Sequence, residues 1–440
     1  PRVLIRISRV SIQKAPFGAL FSFGANSCVI ARRWCHLPSK LVPKRTGMGM
    51  LVGMRFAQLY TVSGLHGADM YLCLPFFGAF MSIQKKLSPA LLIALGLAST
   101  AHAENTLNMY GVLDLSFGSV ENAHLDGAKA RTTAVDSNRM TTSFIGFRGS
   151  EDLGSGLKAQ FTLESFLRPD TGASGRAGST DPMWSRNANV ALVGGFGKVA
   201  IGRTQNLIYG QEIGFNPFGG SFGVSPIVRL TYGVGWINPT TGASTTVEKG
   251  DSGWSNTIAY YTPNLSGFTG AVVYQAGEAS DDSEGDSYAL GGTYVNGPFA
   301  ITVGYQELQS AEAPKSNFAD GQKQKFGLLG VSYDFGIVKA FGQYGQIKNE
   351  GFTTALAAGD IDLYQVGVTI PVTATGKILA SYGQGKYKAD AGDDIKHTIV
   401  AVGYDYNLSK RTDVYANFIY DDQTDLKSGN TYMVGIRHAF

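Results

Sequence analysis

The sequence predicts an all-β fold for residues 104 to 440, a 16-stranded antiparallel transmembrane β-barrel. Three observations predict it. Apolar residues recur at every second position in runs of about 10 residues, which at ~3.3 Å per residue and a ~45° tilt climb roughly 23 Å, close to the apolar band of such a barrel. The connections alternate between tight turns and longer polar loops. The runs are even in number, and the last ends on the final aromatic, Phe440.

The periodic part has a different character from what precedes it. Residues 1 to 103 hold 12 Lys or Arg against one acidic residue, Asp69, together with all three cysteines, Cys28, Cys35 and Cys73. Residues 104 to 440 carry 25 basic against 33 acidic side chains, a net charge of −8, and can form neither a disulfide nor a thiolate metal site. From Met81 the chain reads MSIQKKLSPALLIALGLASTAHA, with Lys85 and Lys86, an apolar stretch from Leu87 to Leu97, and small residues ending Ala101-His102-Ala103. That is the pattern of a secretory signal peptide over residues 81–103, cut between Ala103 and Glu104. The apolar stretch is too short for a membrane helix, which takes roughly 20 residues. Residues 1–80 start at Pro1, show no sustained period and precede a complete signal, so they are expected to be a disordered upstream extension. An exported protein that began before Glu104 would overturn this.

Beyond Glu104 no stretch reaches the roughly 18 apolar residues that mark a membrane helix, whereas period two is sustained. Phe299, Ile301, Val303 and Tyr305 interleave with Ala300, Thr302, Gly304 and Gln306. Tyr364, Val366, Val368 and Ile370 alternate with Gln365, Gly367 and Thr369, and Val402, Tyr404, Tyr406 and Leu408 with Ala401, Gly403, Asp405 and Asn407. Each run has one apolar face and one small or polar face. Upward strands are predicted to open near Asn108, Leu157, Lys198, Phe268, Phe299, Ile337, Gly376 and Arg411. Their partners close near Phe147, Val193, Thr262, Val295, Tyr333, Ile370, Tyr406 and Phe440. Sandwich strands are usually about half this length, and an even, closed ring leaves no unpaired edge in lipid. Tight turns such as Gly194-Gly195-Phe196-Gly197 and Asn296-Gly297-Pro298 mark one rim, and long polar loops the other. Tyr260, Tyr261, Tyr333, Phe335, Tyr404, Tyr406, Phe418 and Tyr420 fall at run ends, where interfacial girdles lie. Sixteen strands enclose a water-filled lumen, so a channel is expected.

Several runs carry more specific signals. They are Tyr110-Gly111-Val112-Leu113-Asp114, Ile145-Gly146-Phe147-Arg148-Gly149-Ser150-Glu151-Asp152-Leu153-Gly154, Arg186 followed by Gly194 to Gly197 and Ile201-Gly202-Arg203, and the closing Val434-Gly435-Ile436-Arg437-His438-Ala439-Phe440. Together they resemble the Gram-negative trimeric porins, especially the neisserial and burkholderial branch, across all of residues 104 to 440. The resemblance implies an outer-membrane homotrimer in contact with lipid, inserted by a barrel-assembly machinery that reads Phe440. It also implies passive diffusion of ions and small hydrophilic solutes without a cofactor, and an inward-folded third external loop that sets the constriction. The longest connection, about Gln205 to Ser252, follows the fifth strand and contains Asn216-Pro217-Phe218-Gly219-Gly220, similar to the family's constriction-loop stretch but without the acidic residue of enteric members. On the facing wall Arg148 and Arg186 match the family's pore-lining arginines; Asp114 lies on the inward face, and Arg203 and Glu212 are placed at the loop root. Phe144 and Gly253 stand where relatives usually carry arginine, so a thinned basic ladder and a small preference for anions are expected.

The alternatives are a lipase-type barrel enzyme and a substrate-specific channel. Gly219-Gly220-Ser221-Phe222-Gly223 matches the G-x-S-x-G hydrolase pattern, but a nucleophile elbow needs a strand, a sharp turn and a helix, and no helical pattern follows Ser221. The histidines of this region, His124, His397 and His438, are scattered. Asp281, Asp282, Glu284 and Asp286 crowd one external loop with hard oxygen ligands suited to Ca²⁺, but without an EF-hand pattern; a solvated loop tip is the plainer reading, and no metal is expected. The basic leader lacks aromatic interleaving, so no nucleic-acid partner is expected. Asn187 and Asn189 alternate with Arg186, Ala188 and Val190 and are expected to face outward. Amides facing hydrocarbon are costly, which points to a subunit interface there.

Overall fold

The computed structural model describes residues 105–440 apart from 177–180, 234–235, 241, 243, 246, 248–249, 278–284, 310–321, 353–358 and 389–393. The signal peptide, its cleavage site at Ala103 and Glu104, and residues 1–80 lie outside the described residues.

The chain forms a closed ring of 16 antiparallel strands. They are β1 (Thr106–Val120), β2 (two segments, Thr132–Ser137 and Phe144–Gly154), β3 (Leu157–Arg168), β4 (Asn187–Gly194), β5 (Gly197–Gln205), β6 (Gly253–Tyr261), β7 (Phe268–Gln275) and β8 (Ser287–Asn296). Then follow β9 (Phe299–Leu308), β10 (Lys323–Asp334), β11 (Lys339–Glu350), β12 (Asp360–Pro371), β13 (Gly376–Lys388), β14 (Ile395–Asn407), β15 (Thr412–Gln423) and β16 (Gly429–Ala439). Each pairs with the next, and β16 returns to β1 with Ile436 opposite Leu115 and Val434 opposite Phe117. Among the described residues no helix is long and apolar enough to cross a membrane.

The predicted alternation is visible in which side chains are covered. Val303, Val366 and Val402 are exposed on the outer face, while Thr302, Gln306, Gln365 and Ala401 are buried on the other. Strand ends fall within two residues of their predicted positions with one exception. β2, expected to close near Phe147, continues to Gly154, because Arg148-Gly149-Ser150-Glu151-Asp152 extends the ladder on β3 with polar residues that carry no apolar period. At the tight-turn rim the hairpins come very close. A Cβ on Gly197 (φ +107°) would lie 2.2 Å from the Tyr261 carbonyl oxygen, so this turn requires glycine.

Strand β4 corrects the interface argument. Val190 is 62 % exposed and Ala191 is 3 % exposed, so the outward row is Ala188, Val190 and Leu192, and the two amides share the side of Ala191. There Asn189 donates to the Arg203 carbonyl oxygen at 2.9 Å, and Asn187 donates to Glu164. Parity counted from Arg186 fails because Arg186 precedes the strand and does not follow its alternation.

The long connection after β5 is also more ordered than its glycine content implies. It carries two helices, α1 (Leu207–Gly214) and α2 (Pro226–Tyr232). Asn206 caps α1 by accepting the Tyr209 N–H at 3.0 Å, and Pro226 opens α2, where its missing N–H is not needed. Ile208, Phe218, Ile227, Leu230 and Trp236 of this segment form one buried cluster with Phe326, Leu328, Ile347, Ile361, Leu363, Leu379, Ile399 and Ile419. Burying each such side chain contributes roughly 1.5–3 kcal/mol. Glycines in the strands admit the segment. A Cβ on Gly367 would meet Pro217 at 2.7 Å, and one on Gly383 would meet Pro226 at 2.6 Å.

Candidate pore constriction

Between the two segments of β2 the chain leaves the sheet. Buried Asp114 holds this excursion, accepting the backbone N–H groups of Met140 and Thr141 at 2.7 Å each and the Tyr415 hydroxyl at 2.6 Å. The excursion meets the long segment, since Ser221 Oγ donates to the Arg139 carbonyl oxygen at 2.7 Å. A cavity of about 170 Å³ remains beside that contact. One side is lined by Thr141, Thr142, Phe144, Phe166 and Arg186, the other by Tyr209, Ile213, Gly220 and Phe222.

Arg186 is the only charged side chain among its lining residues. Its guanidinium lies 4.1 Å from the Phe144 ring centroid and pairs through Nη1 with buried Glu164, which also accepts from Tyr110 and Asn187. Its other N–H groups have no protein partner among the described residues. Arg148 is exposed on the same wall, 4.7 Å from the Tyr110 ring, and the Tyr110 and Phe144 rings meet edge to face at 5.8 Å. Two guanidiniums therefore flank a pair of touching rings, in the order Arg148, Tyr110, Phe144, Arg186. Each cation–π pair is worth about 0.5–1 kcal/mol at such exposure.

Arg203 and Glu212, expected together at the loop root, do separate jobs. Arg203 donates to Asp251 at 2.8 Å, to Ser255 Oγ at 2.8 Å and to the Ser185 carbonyl oxygen at 2.6 Å. Arg176 binds the same Asp251 and also Asp181 at 2.7 Å, with its guanidinium over Phe166. This closed node ties the loop after β3 to the end of the long segment. Burial alone would raise the Asp181 carboxyl, but its hydrogen bond and ion pair with Arg176 hold it below the usual carboxylate range. Glu212 is fully buried and accepts from Thr231 at 3.0 Å, joining α1 to α2. Neither residue lines the cavity.

The Asn216-Pro217-Phe218-Gly219-Gly220 stretch is held from within. Asn216 Oδ1 accepts the Phe218 N–H at 2.9 Å, its Nδ2 donates to the Glu212 and Gly219 carbonyl oxygens, and Gly219 sits at φ +54°. Gly253, the other position expected to thin the basic ladder, lies under Arg203, 3.2 Å from its Nη2 to an ideal Cβ.

Ser221 is no nucleophile in this geometry. A helix does follow it, contrary to expectation, but its buried hydroxyl is spent on Arg139 and on the Val224 N–H. The three histidines bind elsewhere: His124 to the Asn122 carbonyl oxygen, His438 to Thr412 and His397 to Asp421.

Sequence reasoning missed the strongest anchor. Arg229 of α2 pairs with Asp421 of β15 at 2.5 Å and donates to the Gly223 carbonyl oxygen at 2.9 Å, and His397 Nε2 meets the other Asp421 oxygen at 2.8 Å. Burial pushes the Arg229 guanidinium below its ordinary value, and Asp421 opposes that shift. The available signal was one arginine inside the apolar run Pro226-Ile227-Val228-Arg229-Leu230.

Phe440 completes the ring. Its N–H and carbonyl oxygen pair with Gly111 at 3.1 and 3.2 Å, and its ring occupies the space a Gly111 side chain would need. Of the acidic loop, Asp281, Asp282 and Glu284 lie outside the described residues; Asp286 accepts the Gly277 N–H at 3.0 Å, which holds its carboxyl below the usual range. Among the described residues no group of three or more potential metal ligands assembles.

A family model described as Gram-negative porin matches residues 90–426. The chain is 30% identical to outer membrane porin protein 32 of Delftia acidovorans, with 79% of this chain and 98% of that protein aligned. It is 29% identical to an outer membrane porin protein of Bordetella pertussis, over 81% of this chain and all of that one. Among solved structures it is similar to an anion-selective porin from Comamonas acidovorans, with a TM-score of 0.63 and 26% identity over 77% of this chain and all of that one.

Proposed function

The chain belongs to the Gram-negative porin family, and from that premise we propose that its channel is narrowed by the segment 206–252, with the cavity beside Arg186 as the eyelet. As a porin it is an outer-membrane β-barrel that forms a channel for passive diffusion of small solutes. One observation carries the eyelet reading. The segment bonds to Gln306 of β9, Gln343 of β11, Asp421 of β15 and, at its tip, Arg139 beside β2. A single connection reaches such widely separated staves of a closed ring most directly by crossing its interior, as an inward third external loop would.

The eyelet's selectivity is a weak preference for anions. Arg148 and Arg186 place two positive charges on this wall against the one carboxylate of Glu164, and the similar Comamonas acidovorans protein is anion-selective. The net −8 of residues 104–440 argues the opposite sign, but charges on external loops are screened over a Debye length of about 8 Å. Reversal potentials in a salt gradient across a planar bilayer test this. Arg186→Ala should shift them toward cations and Asp281→Ala scarcely at all. Strong cation selectivity in the wild type, or no shift on removing Arg186, would place the eyelet elsewhere.

The remaining partners follow the family. A homotrimer rests on family resemblance alone now that Asn187 and Asn189 turn inward, and light scattering showing only monomer in mild detergent would refute it. Recognition of Phe440 by the assembly machinery agrees with its place at the closing seam, and normal surface levels after its deletion would contradict it.

A further inference from the structure

We infer that the eyelet favours small aromatic monocarboxylates over other anions of equal charge and size; this rests on the eyelet reading above. The cavity's size suits one ring. It measures about 170 Å³, and an apolar cavity of roughly 150 Å³ takes a benzene molecule. Its walls present aromatic surface from both sides, Phe144 and Phe166 from the barrel and Tyr209 and Phe222 from the long segment. Tyr209 and Phe222 already lean on each other, with centroids 5.8 Å apart.

Arg186 supplies the second half of the recognition. Glu164 takes Nη1, which leaves the other N–H groups for one carboxylate. The same guanidinium sits 4.1 Å from the Phe144 ring centroid, so a carboxylate paired to it brings its own ring alongside aromatic faces. Rings prefer offset or edge-to-face contact with other rings, and a saturated ring lacks the quadrupole that rewards it. The combination recurs on the same wall, where Arg148 lies 4.7 Å from the Tyr110 ring and Tyr110 meets Phe144 edge to face. An aromatic acid leaving Arg186 therefore finds a second guanidinium and ring beside the first, so affinity at the eyelet does not become a trap.

The experiment uses the purified protein in planar bilayers, with bi-ionic reversal potentials for benzoate and cyclohexanecarboxylate against chloride. Benzoate should be about threefold more permeant than cyclohexanecarboxylate, the preference that one or two weak ring contacts allow. Phe144→Leu should bring that ratio close to one; Phe222→Leu, on the other side of the cavity, serves if the first variant fails to assemble. Arg186→Gln should depress both organic anions together. A wild-type ratio of one, or a ratio untouched by both ring substitutions, overturns the inference and leaves the channel intact. Loss of all selectivity response to Arg186 would instead sink the eyelet reading itself.

Discussion

The inner walls of the two halves of the barrel are built on different principles. From β10 to β15 the inward row is apolar where the long segment lies against it: Phe326, Leu328, Ile347, Ile361, Leu363, Leu379, Ile399 and Ile419 are all buried. From β1 to β4 the inward row carries Asp114, Phe144, Arg148, Glu164 and Asn187, and an open cavity faces it. On the eyelet reading proposed above, the half from β10 to β15 behaves like a protein core and the half from β1 to β4 like a lined pore. A stave that is apolar on both faces thus signals a covered wall, and on the same reading a stave with inward charge and rings marks the proposed path of the solute.

Replacing Arg229 should break this division most severely. Arg229→Ala leaves Asp421 buried without its cation, at a cost of about 3–5 kcal/mol, and loosens α2 from the covered wall. Single-channel recordings should show larger or noisier conductance, with a lower temperature for loss of the folded band on gels. Conductance and gel behaviour equal to the wild type would mean that the segment is held by its apolar contacts alone.

A paired comparison comes next. Leu363→Ala, in the covered wall, should cost about 2–5 kcal/mol, whereas Arg148→Ala, exposed on the open wall, should cost no more than about 1 kcal/mol, the worth of its contact with the Tyr110 ring. The gel-shift temperature of each variant in the same detergent measures this. Equal losses would erase the distinction between the walls.

Much of this was legible in the sequence and some was not. The outward row has to be apolar at every position that meets lipid, so Tyr364, Val366 and Val368 announced β12 and its register. The inward row answers to whatever lies inside. Ile361 and Leu363 are apolar only because the long segment covers them, and alternation cannot show what a distant loop will cover. The excursion between Ser137 and Phe144 was hidden for a related reason, because it depends on Asp114 of another strand accepting two of its N–H groups. Arg186 lines the cavity, but it precedes β4 and was the wrong residue from which to set that strand's parity. Arg203 and Glu212 were grouped by chain position, whereas their partners Asp251 and Thr231 separate them.

A smaller effect sharpens the open wall. One charge acting at about 4 Å in water-like surroundings is worth about 1 kcal/mol to each ion, with opposite sign for anion and cation, so Arg186→Ala should change the anion-to-cation permeability ratio at most about thirtyfold. Arg229→Ala should alter conductance without a comparable change in that ratio, since its charge is paired and buried. If Arg229 moved selectivity as far as Arg186 did, the solute path would run along the covered wall instead.

The smallest expected effect is a pH dependence at the junction of the two halves, where Arg176 binds Asp181 and Asp251 and fixes the end of the long segment. The folded protein holds the Asp181 carboxyl below its ordinary value, chiefly against burial and by virtue of Arg176. A depressed carboxyl binds fewer protons folded than unfolded, so its stabilisation is complete above the ordinary value of about 3.9 and is lost as pH falls through the folded one. Open-channel noise and gel-shift temperature should therefore be flat from pH 7 to 5 and change only below about pH 4. The loss should amount to about 1 kcal/mol, the scale of a single accessible ion pair. Asp181→Asn should abolish that acid limb and sit about 1 kcal/mol below the wild type already at neutral pH, because Arg176 then keeps only Asp251. A transition already complete by pH 5.5 would require an imidazole instead of a carboxylate and would move the control of the segment away from this junction.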